Sequence, residues 1–124
     1  MNTVSVIIPC YNAEAFIDRA ISSIFHQDYP SVELIVVDDG STDHSREKIL
    51  GWTKSFENKG WKLRYCHQEN TGPGGAINTG LKLVSGDFIS ILDADDEYLQ
   101  GAISLRADYL LAHPECDVVR SNGW

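Results

Sequence analysis

Phe88-Ile89-Ser90-Ile91-Leu92-Asp93-Ala94-Asp95-Asp96 is the stretch whose reading decides the fold. An apolar run of strand length stops abruptly in three carboxylates within four residues. A run of this kind, without polar alternation, predicts a strand buried on both faces, as in parallel sheets covered by helices. The carboxylates then stand just past the C-terminal end of that strand. Like charges so close together repel, and they stay ionised cheaply only with a cation beside them. Hard oxygen ligands suit Mg2+ or Mn2+. The same residues would also make an acidic surface turn, because Asp side chains bond readily to nearby backbone. Their neighbours have to decide between the two.

Working outward, the segments before this strand alternate in type. Val4-Ser5-Val6-Ile7-Ile8 is β-branched and strand-like, and Pro9, which has no N–H, is expected to end its ladder. Asn12 is placed to cap a helix running from Ala13 to about Gln27, with Phe16, Ile17, Ala20, Ile21, Ile24 and Phe25 on one face. Val32–Val37 is a second strand that runs into Asp38-Asp39-Gly40-Ser41-Thr42-Asp43. Ser41 or Thr42 is expected to cap one helix from about Asp43 to Glu57. A third strand over Lys62–His67 leads into Thr71-Gly72-Pro73-Gly74-Gly75 and a short helix to about Val84. Beyond the opening stretch, Leu99 to Ala112 reads as another helix, and Asp117-Val118-Val119-Arg120 as the start of a fifth strand.

Strands alternating with helices on short connections predict an α/β fold, an open, mostly parallel sheet with helices on both faces in three layers. In such sheets ligands bind outside the carboxyl ends of the strands. Those ends here carry Pro9 to Asn12, Asp38 to Ser41, the glycine loop, and Asp93 to Asp96. Polar, turn-forming residues thus gather on one rim, and the opposite rim shows no comparable cluster. Acid plus metal suits a diphosphate, whose charge the ion would neutralise. Asp38 or Asp39 could accept a hydrogen bond from a base or ribose, and Tyr11 offers a ring for stacking.

Composition removes other classes. A formal charge of −8 over 124 residues leaves no basic stripe for nucleic acid. The three cysteines stand at unrelated spacings, which is neither a disulfide framework nor a zinc site and fits a reducing cytosol. The four histidines share no ligand spacing, and Cys10 has no His nearby to activate it. No apolar run approaches the roughly 20 residues a membrane helix needs. The dinucleotide and phosphate-loop glycine fingerprints are both absent. A phosphatase built on an Asp-x-Asp nucleophile would want that motif after the first strand, and here it follows the fourth.

Val4-Ser5-Val6-Ile7-Ile8-Pro9-Cys10-Tyr11-Asn12, Val36-Val37-Asp38-Asp39-Gly40-Ser41-Thr42-Asp43, Asn78-Thr79-Gly80-Leu81 and Leu92-Asp93-Ala94-Asp95-Asp96 together resemble the family 2 inverting glycosyltransferases of the GT-A fold. The resemblance occurs in order at four places and spans essentially the whole chain. It implies transfer of a sugar from a nucleoside-diphosphate donor, UDP-linked first, to a saccharide or lipid-linked acceptor, with Mg2+ or Mn2+. By position, Pro9, Tyr11 and Asp39 would border the nucleobase, and Asp38 would shape that pocket. Asn12, Glu14 and Ser41 would stand at its edge. Asp93-Ala94-Asp95 matches the family's Asp-x-Asp motif, with Asp95 on the metal and Asp93 near the ribose or sugar phosphate.

Two departures stand out. Ile77 occupies the place where many relatives carry an Arg, and the family's catalytic base lies in an acceptor-binding half after the Asp-x-Asp motif. Residues 1–124 are therefore expected to form a single donor-binding domain, without that base and with little transfer of its own. A non-catalytic nucleotide-binding or scaffold module is the rival expectation. A cytoplasmic location, at the inner face of the membrane for a full-length protein, and self-association through an uncovered apolar face complete the reading.

Overall fold

The computed structural model describes residues 2–115. Strands β1 (Val4–Cys10), β2 (Val32–Asp39), β3 (Lys62–Gln68) and β4 (Phe88–Ile91) pair in parallel in the order β3-β2-β1-β4. Helix α1 (Ile17–Phe25) follows β1, and α2 (Ser45–Leu50) and α3 (Thr53–Asn58) follow β2. Helix α4 (Pro73–Leu83) joins β3 to β4, and α5 (Ala102–Ala112) follows β4. The expected fifth strand lies outside the described residues.

The larger core lies on one face of the sheet. Val6, Ile8, Leu34 and Val36 meet Ile17, Ile21 and Ile24 of α1, Ile49 of α2, Phe56 of α3 and Ile103 of α5. Each of the three α1 isoleucines contributes about 1.5–3 kcal/mol by leaving water. The other face is smaller: Ile35 and Val37 pack against Ala76 of α4. Helices therefore cover both faces, as the alternation of elements predicts.

The strand order places the site. From β1 the chain moves out to β2 and β3, then returns to lay β4 on the other side of β1. The order reverses between β1 and β4, and a crevice opens at such a switch point beyond the strand ends.

Several local expectations are corrected. Pro9 does not end β1: the ladder to β2 continues through Pro9↔Val37 and Cys10↔Asp38. The amide of Leu92 donates to the carbonyl of Ile7, so odd residues of β1 turn their polar groups toward β4. Pro9 belongs to that set, and the pairing with β4 stops at Ile7↔Ile91, where a missing N–H costs nothing. Asn12 is no helix cap. It adopts φ 47°, and α1 starts later, at Ile17, after a turn in which Ala13 accepts from Phe16 and Ile17. The single helix expected after β2 is two, separated by Gly51 and Trp52. Neither Ser41 nor Thr42 caps the first of them; Asp43 Oδ1 receives the Ser45 amide at 2.9 Å instead. The helix expected from Leu99 begins at Ala102, entered through Gly101 at φ 81°.

β4 is also not buried on both faces. Ile89 and Ile91 are 48% and 44% exposed. Ile91 pairs with Ile7 and so shares the face of α4, but α4 seats itself over β1 and β2 and leaves β4 uncovered.

Candidate functional site

Three of the four strand-end loops are stitched together. After β1, the Asn12 amide donates to Ser41 Oγ at 2.9 Å, and Asn12 Oδ1 accepts the Thr42 amide at 2.8 Å. The left-handed backbone of Asn12 turns its main chain and side chain toward the second loop together, and Asn tolerates that conformation better than most residues. The Ala13 amide reaches Ser45 Oγ at 3.0 Å, and the Glu14 amide reaches Asp43 Oδ2 at 3.1 Å. Glu14 Oε2 in turn accepts from the His44 amide at 3.2 Å and lies 3.0 Å from its ring Nδ1.

Asp39 ties the second loop to the third. Its Oδ1 accepts from Gln68 Nε2, the Thr71 amide and the Thr71 hydroxyl at 2.9, 2.9 and 3.3 Å. Its Oδ2 accepts the Gly72 amide at 2.9 Å. The Thr71 and Gly72 amides stand at the start of α4, where the helix dipole also favours negative charge. Burial pushes the Asp39 carboxyl up, but donation from Gln68, Thr71 and Gly72 outweighs it and leaves the group below the usual carboxylate range. Asp39 is thus a buried, ionised acceptor at the end of β2, an inner strand.

Asp38 points elsewhere. Its Oδ1 accepts the Ser41 amide at 2.9 Å, and its Oδ2 accepts the hydroxyl of Tyr65. Burial raises its carboxyl, yet donation from Ser41 and Tyr65, with His67 nearby, brings it below its ordinary value.

The fourth loop turns tightly, with the Asp96 amide donating to the Asp93 carbonyl at 3.0 Å. One carboxylate oxygen from each of Asp93, Asp95 and Asp96 lies within 4.8 Å of the others. Burial, then the charges of Asp96 and Asp95, push the Asp93 carboxyl above its usual range. Three hard oxygen donors held against their mutual repulsion fit a divalent ion of the Mg2+ or Mn2+ type.

These loops enclose a cavity of about 390 Å3. That is within the range of small-molecule sites, on the order of 300–1,000 Å3. Of the residues expected from the sequence, Pro9, Tyr11, Asn12, Asp39, Asp93, Ala94 and Asp95 line it. Glu14, Asp38 and Ser41 do not; they hold the surrounding loops. Tyr11 is 54% exposed, so its ring is available at the wall. Cys10 also lines the cavity, and burial pushes its thiol up to about 11, which keeps it protonated and inert.

Phe16 and Asn70 line the cavity without having been expected there. The helical spacing put Phe16 on the buried face of α1, but it occupies the N-cap position, where the helical repeat does not yet hold, and is 45% exposed. Nothing in the sequence separates Phe16 from the apolar residues that follow it at helical spacing. Asn70 belongs to a loop read for its glycines alone, and the Gly40 turn, at φ 85°, brings it close.

Comparison with known proteins extends these observations. The glycosyl transferase family 2 profile matches residues 5–122. A GalNAc(5)-diNAcBac-PP-undecaprenol beta-1,3-glucosyltransferase of Campylobacter jejuni is 38% identical over 106 residues, covering 84% of this chain and 33% of that protein. The crystal structure of Staphylococcus aureus TarS 1–349 in complex with UDP-GlcNAc superposes with a TM-score of 0.78 at 33% identity, over 90% of this chain and 32% of that one. The mannosyltransferase PcManGT of Pyrobaculum calidifontis, in complex with GDP-Man and Mn2+, gives 0.77 at 32% identity, again over 90% and 32%. The chain spans about a third of the length of each of these relatives.

Proposed function

The chain belongs to glycosyltransferase family 2, and from that premise we propose that residues 1–124 form its donor domain, binding a nucleoside-diphosphate sugar whose sugar passes with inversion to an acceptor hydroxyl. One observation carries the reading: Tyr11, Asp39 and the Asp93–Asp95 pair, from three different strand ends, line one cavity.

The base lies between Pro9, the ring of Tyr11 and the Asp39 carboxylate, with Asn12 at the edge. Glu14, Asp38 and Ser41 act on it through the loops they brace. An ionised acceptor prefers a base that offers an N–H, such as the N3–H of uracil, and UDP is therefore the first expectation. The UDP-GlcNAc complex of TarS supports it, and the GDP-Man complex of PcManGT supports guanine as second choice, since guanine also offers ring N–H.

The diphosphate points toward the fourth loop, where Asp95, with Asp93 beside it, would hold Mg2+ or Mn2+. When bound there, the ion supplies charge neutralisation of the diphosphate as it leaves. Ala94, between them, keeps that floor small, and Asp93 faces the ribose or sugar phosphate. The Mn2+ in the PcManGT complex supports a divalent ion.

An inverting displacement needs a base to take the acceptor proton. Among the described residues of the cavity, the carboxylates are Asp39, with four donors, and the acidic pair assigned to the ion. Neither is free for that task, so the base is not among the described residues of the cavity, and the donor site they form is expected to bind without transferring. The undecaprenol-linked substrate named for the Campylobacter relative supports a lipid-linked acceptor and work at a membrane face. Among the described residues no helix is long and apolar enough to cross a membrane. Calorimetry tests the reading: UDP binds in the presence of Mn2+ and loses most of its affinity in EDTA. Absence of UDP and GDP binding with Mn2+ present overturns it.

A further inference from the structure

Resting on the nucleotide reading above, we infer that Gln68 is the positioning residue that sets which bases the site accepts, acting through Asp39 without touching the ligand. Gln68 is the last residue of β3 and the register partner of Asp39 across the β2–β3 ladder. Its Nε2 donates to Asp39 Oδ1 at 2.9 Å and to Thr71 Oγ1 at 3.0 Å. Its Oε1 lies 2.6 Å from the Thr79 hydroxyl, which donates to it from the second turn of α4. Both ends of the amide are therefore committed.

The orientation of that amide follows from charge. Turned end for end, its oxygen would face the Asp39 carboxylate at hydrogen-bond distance, and its NH2 would lose the carboxylate as acceptor. The amide therefore locks the rotation of the carboxylate. Oδ1, with three donors, has no acceptor capacity left, since a carboxylate oxygen offers about two lone pairs. Oδ2 has one donor, the Gly72 amide, so the unused lone pair of the group belongs to Oδ2.

A fixed acceptor sorts bases by what they present to it. Uracil at N3 and guanine at N1 offer a hydrogen; cytosine at N3 and adenine at N1 offer a lone pair, which a carboxylate repels. Discrimination is strong where a mismatch leaves a buried polar group unpaired. A carboxylate free to swing could turn away from the mismatch, and the preference would fade. Gln68 holds it in place.

The test titrates UDP, GDP, CDP and ADP in the presence of Mn2+ into the wild-type protein and into Gln68→Leu, Gln68→Glu and Thr79→Val. The wild type is expected to bind the better of UDP and GDP at least about tenfold tighter than CDP or ADP, the scale of one hydrogen bond to a charged group. Gln68→Leu removes most of that ratio by weakening the preferred nucleotide while leaving CDP and ADP unchanged. Gln68→Glu, which sets a second carboxylate against Asp39, removes all of it. Thr79→Val, which frees the amide without touching Asp39, moves the ratio in the same direction by a smaller factor and covers the case in which a Gln68 variant does not fold. Equal weakening of all four nucleotides, or an unchanged ratio in the folded variants, overturns the role of Gln68 and leaves the donor-domain reading standing. A wild type that prefers CDP or ADP also overturns it. A wild type that binds none of the four overturns both.

Discussion

Two buried carboxylates stand at opposite ends of β2, and both fasten α4. Glu33, near the start of the strand, accepts from Ser5 Oγ and the Ser85 amide at 3.1 Å each, and from the Ser85 hydroxyl. Ser85 lies just past the last turn of α4. Asp39, at the end of the strand, accepts the amides of Thr71 and Gly72 just before the first turn. Six residues apart on one strand, the two side chains share a face, the one that α4 covers. Their partners are alike and their settings are not. Asp39 lines a cavity and meets the favourable end of the helix dipole. Glu33 is closed in by two serines at the unfavourable end. A buried, hydrogen-bonded acid is therefore no mark of a site by itself. What distinguishes Asp39 is open space in front of it and a second acidic cluster across that space.

The largest effect is expected across that space. Asp95→Asn should weaken UDP binding in Mn2+ by about 100-fold or more, beyond the roughly 10–100-fold seen for residues one layer removed from a metal. Without metal the same variant should melt no lower than the wild type, because it relieves the repulsion within the Asp93, Asp95 and Asp96 cluster. Glu33→Gln should leave UDP affinity unchanged. Calorimetry with thermal melts separates the two ends, and a loss of affinity in Glu33→Gln would erase the contrast.

Full truncation of each acid comes next. Glu33→Ala strands the Ser5 hydroxyl and the Ser85 amide and should cost about 2–3 kcal/mol of stability, the usual penalty for buried groups left unpaired. Its affinity for UDP should stay within twofold. Asp39→Ala should cost a similar amount of stability, because two main-chain amides lose their acceptor, and should weaken UDP binding by about tenfold as well. Urea titration reads the first quantity and calorimetry the second. Equal binding losses in the two variants would mean that α4, and not the cavity, carries the ligand.

Acid should loosen the Asp39 end more gently. Burial raises Asp39 and Asp43, but hydrogen bonds outweigh it, from Gln68 and Thr71 in one case and from Ser45 in the other, and both carboxyls lie below their ordinary 3.8. Their folded values are depressed, so the stability they contribute is present above 3.8 and lost as pH falls through the folded values. Melting temperature should therefore hold from neutrality to about pH 4 and then drop, and Asp39→Asn should shallow that drop. An unchanged slope in this variant would remove Asp39 from the account.

Much of this contrast was legible in the sequence at one end of the sheet and almost none at the other. Asp38, Asp39, Asp93 and Asp95 interrupt apolar strands at their carboxyl ends, and glycine and proline follow β3, so local side-chain type announces the rim. Glu33 sits inside Val32-Glu33-Leu34, an otherwise apolar strand, and its partner Ser85 is 52 residues away. Nothing local signals such a pairing. The same limit hid the exposure of Ile89 and Ile91: their apolar character is local, but their cover depends on where α4 lands. Phe16 and Asn12 depart from their expected places because helix periodicity says little about the turn that precedes a helix. The break at Gly51 has no clear mark in the sequence, because one glycine does not by itself break an amphipathic pattern.

The seat of α4 gives the smallest and most specific expectation. Gly80 lies against the sheet, and a Cβ there would come within 2.6 Å of Ile7 Cγ2. Ile7 is fully buried on β1, so its methyl group has nowhere to move and the helix must lift. Gly80→Ala gains roughly 1 kcal/mol in helix propensity and loses about 1–3 kcal/mol to overpacking, for a net destabilisation of about 1 kcal/mol. Lifting α4 strains both of its fastenings, but only the one at Asp39 borders the cavity. UDP affinity in Gly80→Ala should therefore fall a few-fold, and adding Glu33→Gln, which loosens the other fastening, should restore part of it by letting the helix tilt about its first turn. If the double variant binds UDP no better than Gly80→Ala alone, the two acids do not share the helix as a lever, and each end of β2 is fastened independently.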